Sequence, residues 1–228
     1  MRTEHDFLGE LEVPDKVLYG VQTMRARENF QITGQHLDRD FIASLAKVKK
    51  AAAIANMETG RLEQKIGQGI IAAANEVISG RWDEEFPVDP VQGGAGTSIN
   101  MNMNEVLANR ALDFLGEARG SYEIVSPNNH VNMAQSTNDA FPTAIKVCLC
   151  VKGIRMLESL EQMELLLRKK SAEFHDVLKM GRTHLQDAVP IAFSQEISGW
   201  RSSLQKDTAL IRLASEPLLE LALGGTAV

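Results

Sequence analysis

The chain has 228 residues, 44% of them hydrophobic and only 7 of them proline, enough apolar material to bury a sizeable core in one or two domains. A formal net charge of -6 leaves no basic stripe to neutralise the phosphates of a nucleic acid or to meet an anionic membrane. No apolar run approaches the length of a bilayer crossing, and residues 1–15 are charged throughout without a signal-peptide apolar stretch, so a cytoplasmic globular protein is expected.

Residues 1–36 mix polar side chains with Gly9, Pro14, Gly20 and Gly34 and read as an irregular arm with little regular structure. Asp38 is placed to cap a helix in which Phe41, Leu45, Val48, Ala52 and Ala55 recur at helical spacing until Gly60. A second amphipathic helix is predicted from about Leu62, with Ile66, Ile70, Ala73 and Val77 on one face, stopping at Gly80. Residues 81–96 carry Pro87, Pro90 and three glycines and form a loop. The helical pattern from Thr97 to Leu115 contains Asn100, Asn102, Asn104 and Asn109, poor helix formers that tertiary contacts must sustain.

After a loop with Pro127 and Asn128-Asn129, the chain turns long-helical at Ser136. Leu149, Met156, Leu160, Met163 and Leu167 form one apolar stripe and Phe193, Ile197, Trp200, Leu204 and Ile211 another, as two helices of a bundle would. Strand-like alternation is scarce, so the class is mainly α: an N-terminal helical domain over 1–140, then the first long helices of a helical bundle over 141–228. The glycine-rich run Gly224-Gly225-Thr226-Ala227-Val228 leaves a helix with nothing to pack behind it and reads as a truncation.

Cys148 and Cys150 point in different directions from one helix and are expected to be unpaired buried thiols. His5, His36, His130, His175 and His184 lack the paired spacing of H-E-x-x-H, and there is no C-x-x-C, so neither a metal site nor a cofactor is expected.

Three short polar, glycine-bearing segments fall where helices are predicted to begin. In Gly93-Gly94-Ala95-Gly96-Thr97-Ser98-Ile99-Asn100, Thr97 or Ser98 suits a helix cap, and the lysine of a phosphate loop is missing. Ser136-Thr137-Asn138-Asp139 has the form of a capping box, with Pro142 suited to a first helical turn. Gly181-Arg182-Thr183-His184-Leu185-Gln186-Asp187 precedes Pro190. Each segment alone reads as local structure. Together they supply neutral hydroxyl and amide donors, which suit a doubly charged, enolate-like carboxylate formed when a proton leaves the carbon beside it; each aimed donor contributes about 3 kcal/mol.

Gly96-Thr97-Ser98-Ile99-Asn100-Met101-Asn102-Met103-Asn104-Glu105-Val106 resembles the first signature block of the aspartase/fumarase superfamily. Gln135-Ser136-Thr137-Asn138-Asp139-Ala140-Phe141-Pro142-Thr143-Ala144 resembles the second, and Lys179 to Asp187 resembles the residues at its substrate pocket. Glu4-His5-Asp6-Phe7-Leu8-Gly9-Glu10, Tyr19-Gly20-Val21-Gln22-Thr23 and Glu28-Asn29-Phe30 match the family's arm, so the resemblance covers essentially the whole chain. It departs at Ser194, where glycine is usual, and at Leu18, where an aromatic residue is common; both departures are expected to affect packing more than chemistry.

The resemblance implies a tetrameric helical bundle with each site built from three subunits, and a dicarboxylate substrate. It also implies a trans elimination of ammonia from L-aspartate to give fumarate. Thr137, where fumarases usually have serine, and Ser98-Ile99 after Thr97 favour aspartate over malate. By carry-over, Thr97, Ser136 and Thr137 would bind the substrate's β-carboxylate and the amino end of the pocket. Asn138 and His184 would contact the departing amine, and Thr183 the α-carboxylate. The family's base is a serine in the pattern Gly-Ser-Ser-x-x-Met-Pro-x-Lys-x-Asn, which is absent here and expected beyond Val228. The isolated chain is therefore expected to bind substrate weakly and turn nothing over, and its unpartnered stripes to favour self-association. Fumarate hydratase and a non-catalytic, lens-crystallin-like relative are the alternatives.

Overall fold

The structure, a computed structural model, describes residues 1–226. It divides into two compact units: residues 1–148 together with the segment that starts at Leu221, and residues 149–220. It is mainly α, as the patterns above require.

The first unit opens with regular structure where an irregular arm was expected. Strand β1 (Arg2–Asp6) pairs antiparallel with β2 (Gly9–Val13), Arg2 opposite Val13 and Asp6 opposite Gly9. Helix α1 (Val21–Asn29) follows. Long-range polar bonds hold this hairpin in place of apolar alternation: the Arg2 guanidinium donates to Glu4 Oε1 at 2.7 Å, Pro14 O at 3.0 Å, Val17 O at 3.0 Å and Tyr19 O at 2.8 Å. Helix α2 (Arg39–Glu58) begins where Asp38 Oδ1 accepts from the amides of Asp40 and Phe41, the expected cap. Helix α3 (Gln64–Ile78) buries Ile70, Ala73 and Val77.

The buried face of α2 is not quite the expected stripe. Leu45 and Val48 are buried, but beyond them the inward positions are Lys49, Ala53 and Asn56, while Ala55 is exposed. A lysine and an asparagine on the core side read in a sequence as a solvated flank, which displaces the apparent stripe.

Helix α4 (Thr97–Leu115) is the centre of the unit, buried without interruption from Ile99 to Asn109. Its asparagines survive because each donates its side-chain Nδ2 to a tertiary partner. Asn102 Nδ2 donates to Glu85 O at 2.9 Å, and Asn109 Nδ2 donates to Leu18 O at 2.7 Å and to the Tyr122 hydroxyl at 3.0 Å. The carboxylate of Glu105 closes the end of α1, accepting from the amides of Gly20, Gln22 and Thr23 at 2.9, 2.8 and 3.0 Å and from Thr23 Oγ1 at 2.6 Å. An acid at a helix N-terminus offsets the helix dipole as well as the free amides.

Helix α5 (Thr137–Glu173) starts in the first unit and ends in the second. Pro142 is its sixth residue, in the second turn and not the first, so the Asn138 carbonyl loses its i+4 amide donor. In the second unit, β3 (Leu178–Thr183) and β4 (Gln186–Ala192) form an antiparallel hairpin, and α6 (Phe193–Ser215) follows. The rings of Phe174 and Phe193 lie 5.2 Å apart, and Arg201 pairs with Glu164 at 2.5 Å. Cys148 and Cys150 are both free thiols, the first buried. Among the described residues no helix is long and apolar enough to cross a membrane.

Candidate functional site

The first polar segment is a tight left-handed turn into α4. Gly94, Ala95 and Gly96 have φ of 72°, 50° and 95°. Gly96 itself is the N-cap and supplies no side chain, so neither Thr97 nor Ser98 caps the helix as expected. The capping role passes to Gln92, whose Oε1 accepts from Ile99 N at 3.0 Å. Thr97, on the exposed side of the turn, donates its hydroxyl to Gly94 O at 2.6 Å. The turn places Thr97 at the positive end of the α4 dipole, the end of a helix that favours an anion.

The second segment starts α5. Asp139, fully buried, accepts from Ser136 N at 2.9 Å through Oδ1 and from Gly224 N at 3.1 Å through Oδ2. This is the acid half of the expected capping box. Thr137 is half-buried, and Asn138 is exposed with its Nδ2 3.4 Å from Gly225 O. Two contacts tie this turn to the first segment. Asn100 Nδ2 donates to Thr137 Oγ1 at 3.3 Å, and Gly96 lies against the Phe141 ring. Thr97, Ser136, Thr137 and Asn138 thus belong to one unit, and the helix starts that carry them are joined by these side chains.

Beneath Thr137 lies a polar cluster that sequence reasoning missed. The Lys49 ammonium donates to Asn132 Oδ1 at 2.8 Å, and the same oxygen receives Asn100 Nδ2 at 3.2 Å and Asn104 Nδ2 at 3.3 Å. Burial lowers the Lys49 pKa to about 7, against the pull of Asp139. The asparagine-rich pattern of α4 was the available signal, since buried amides imply buried partners; nothing nominated Lys49 as one of them.

Thr183 and His184 lie in the second unit. They occupy the turn of the β3–β4 hairpin, where Thr183 pairs with Gln186, and not a helix start as the three-segment pattern suggested. His184 and Leu185 have φ of 50° and 64°, the primed-turn conformation that twists with the strands. Both are exposed, beside an Arg182–Asp187 ion pair at 3.2 Å.

Residues 9–228 match the family described as Lyase. The chain belongs to that family. Its similarity to individual proteins covers the whole of this chain. It is 52% identical to aspartate ammonia-lyase of a Bacillus species and 49% identical to class II fumarate hydratase of Nitrosomonas europaea, in each case over 100% of this chain and 49% of the relative. Among solved structures, the fumarate lyase:delta crystallin of Brucella melitensis in native form superposes with a TM-score of 0.94 at 44% identity, over 98% of this chain and 53% of that one. The chain spans about half the length of the curated relatives it matches.

Proposed function

We propose that this chain is the N-terminal part of an aspartate ammonia-lyase, which eliminates ammonia from L-aspartate to give fumarate. The observation that carries the reading is the Asn100–Thr137 bond, which joins the α4 start, with Thr97, to the α5 start, with Ser136, Thr137 and Asn138. Two helix N-termini with hydroxyl donors between them suit a carboxylate whose negative charge grows during reaction. Aspartate ammonia-lyases among its relatives support the choice of substrate.

In this reading a base removes a C3 proton, and the electron pair moves into the β-carboxylate to form an aci-carboxylate. That intermediate collapses by expelling ammonia from C2, leaving the C2–C3 double bond of fumarate. Thr97, Ser136 and Thr137 hold the β-carboxylate and the amino end of the pocket, and stabilise the intermediate more than the ground state. Asn138 and His184 meet the departing amine, and Thr183 holds the α-carboxylate. The base is a serine of a glycine-serine loop whose pattern does not occur in these 228 residues. The reading includes a cytoplasmic homotetramer, with residues 1–140 as the N-terminal domain and 141–228 as the first part of the central bundle.

The test sets L-aspartate and L-malate side by side with the full-length protein, following fumarate. Fumarate from aspartate alone supports the reading. Fumarate from malate alone assigns a fumarate hydratase, and none from either leaves a non-catalytic lyase fold.

A further inference from the structure

Lys49 has no exposed surface and no part in the chemistry above. Its contacts nonetheless run to the proposed donors. Asn132, which takes the ammonium at 2.8 Å, donates its own Nδ2 to Gln135 O at 3.0 Å, next to Ser136. Asn100 serves both groups, donating to Asn132 Oδ1 at 3.2 Å and to Thr137 Oγ1 at 3.3 Å. A hydroxyl that accepts from an amide has its own proton free to point elsewhere. The amide therefore fixes Thr137 as a donor to whatever lies beyond it.

The charge matters as much as the geometry. An ammonium removed from water needs compensating negative charge. The charged group acting on it is Asp139 of α5, both of whose oxygens are also engaged by backbone amides. The other elements packed against it present amides: Asn100 and Asn104 from α4, Asn132 from the segment before α5. A dianion held at the Ser136–Thr137 turn would add its negative charge to that of Asp139 and favour the protonated lysine further.

We propose that Lys49 is a positioning residue for the dicarboxylate: acting through Asn132 and Asn100, its ammonium aims the Thr137 hydroxyl at the ligand, and ligand binding draws a proton onto Lys49. The proposal rests on the reading of Ser136 and Thr137 as carboxylate donors. With the Lys49 pKa near 7, the free protein is partly protonated at neutral pH, and the bound dianion completes the protonation. Affinity then falls by about tenfold per pH unit above the free lysine's pKa, until the ligand-bound pKa is reached.

The test uses succinate, a dicarboxylate with no leaving group, titrated calorimetrically into the full-length protein in two buffers of different ionisation enthalpy. At pH near 7 the wild type should take up a fraction of a proton per site through Lys49. Lys49→Met should bind about tenfold or more weakly, lose that uptake and flatten the pH profile. A merely structural lysine would lower the melting temperature of Lys49→Met and leave the proton count unchanged. Asn132→Asp keeps the lysine, places a carboxylate against it and should move the pH break upward by about one unit, which decides the matter if Lys49→Met does not fold. Uptake that survives in folded Lys49→Met, or a break unmoved in Asn132→Asp, overturns this proposal and leaves the lyase reading standing. Failure of succinate to bind the wild type at any pH overturns this proposal, while the fumarate assay with aspartate and malate decides the lyase reading separately.

Discussion

The α-carbon of Gly96 faces the ring of Phe141 so closely that a β-carbon there would lie 2.6 Å from three ring atoms. The contact seats the start of α4 on the second turn of α5, and Phe141 is held in turn by an edge contact with Phe41 at 5.3 Å between centroids. Gly96 also has φ of 95°, outside the range a residue with a β-carbon adopts freely. Gly96→Ala therefore meets backbone strain and overpacking together, and should destabilise the protein by about 2–4 kcal/mol. Thermal unfolding reads the loss, and Phe141→Ala in the same chain should return only the overpacking part. A Gly96→Ala protein that melts at the wild-type temperature would show that the turn tolerates a side chain.

Glu105 gives a second, pH-dependent test. Burial raises its pKa to about 6, despite the hydrogen bonds from Thr23, Gln22 and Gly20 that pull the other way. The folded pKa thus lies above the ordinary carboxylate value of 4.5, and the folded state holds the proton more tightly than the unfolded chain. The stability linked to that proton is complete below pH 4.5 and is lost as pH rises through about 6, a change of about 2 kcal/mol. Chemical denaturation at closely spaced pH values should show this slope in the wild type and lose it in Glu105→Gln. A slope shared by both would place the titration on another group.

Where a segment was legible in the sequence, local chemistry and tertiary context agreed. Asp38 caps α2 as read, and the asparagines of α4 needed tertiary partners and have them. Illegible features depend on contacts far along the chain. Strand β1 reads Arg-Thr-Glu-His-Asp, with no apolar alternation, and is held by Arg2 reaching carbonyls up to Tyr19. The His184-Leu185 turn lacks the Asn-Gly chemistry that announces a hairpin. Lys49 is a charged residue beside Val48 on an amphipathic helix, and such residues are almost always solvated. The same context dependence covers the candidate site: its hydroxyl donors stood out by residue type, but the amides that orient them did not.

The proposed donors divide by what their loss should do to kinetics. Thr97→Val and Thr137→Val keep side-chain volume and branching while removing one hydroxyl each. A donor whose bond strengthens in the transition state costs about a hundredfold to a thousandfold in kcat when lost, with KM little changed. Both variants of the full-length protein should show that pattern with L-aspartate. A change confined to KM would mean that the hydroxyls bind substrate and intermediate equally, and the electrostatic account of the barrier would have to be abandoned.

The helices of the second unit expose apolar surface along their lengths, including Leu166 and Trp200, with Leu213 64% exposed. Water does not favour so much exposed hydrocarbon, and in the proposed homotetramer these faces would lie against copies of themselves. A leucine buried at such a contact contributes about 1.5–3 kcal/mol, and closed symmetry repeats the contribution in every protomer. Replacing Leu166 and Leu213 together by glutamate substitutes charges that resist burial, so sedimentation should show dissociation toward protomers at concentrations where the wild type is assembled. Activity should fall with it, because in the proposed tetramer each site draws on three subunits. Circular dichroism should keep its helical signal, since both side chains face outward in the protomer. A double variant that stays assembled and active would show that these faces are not the contact, and would move the interface to another part of the molecule.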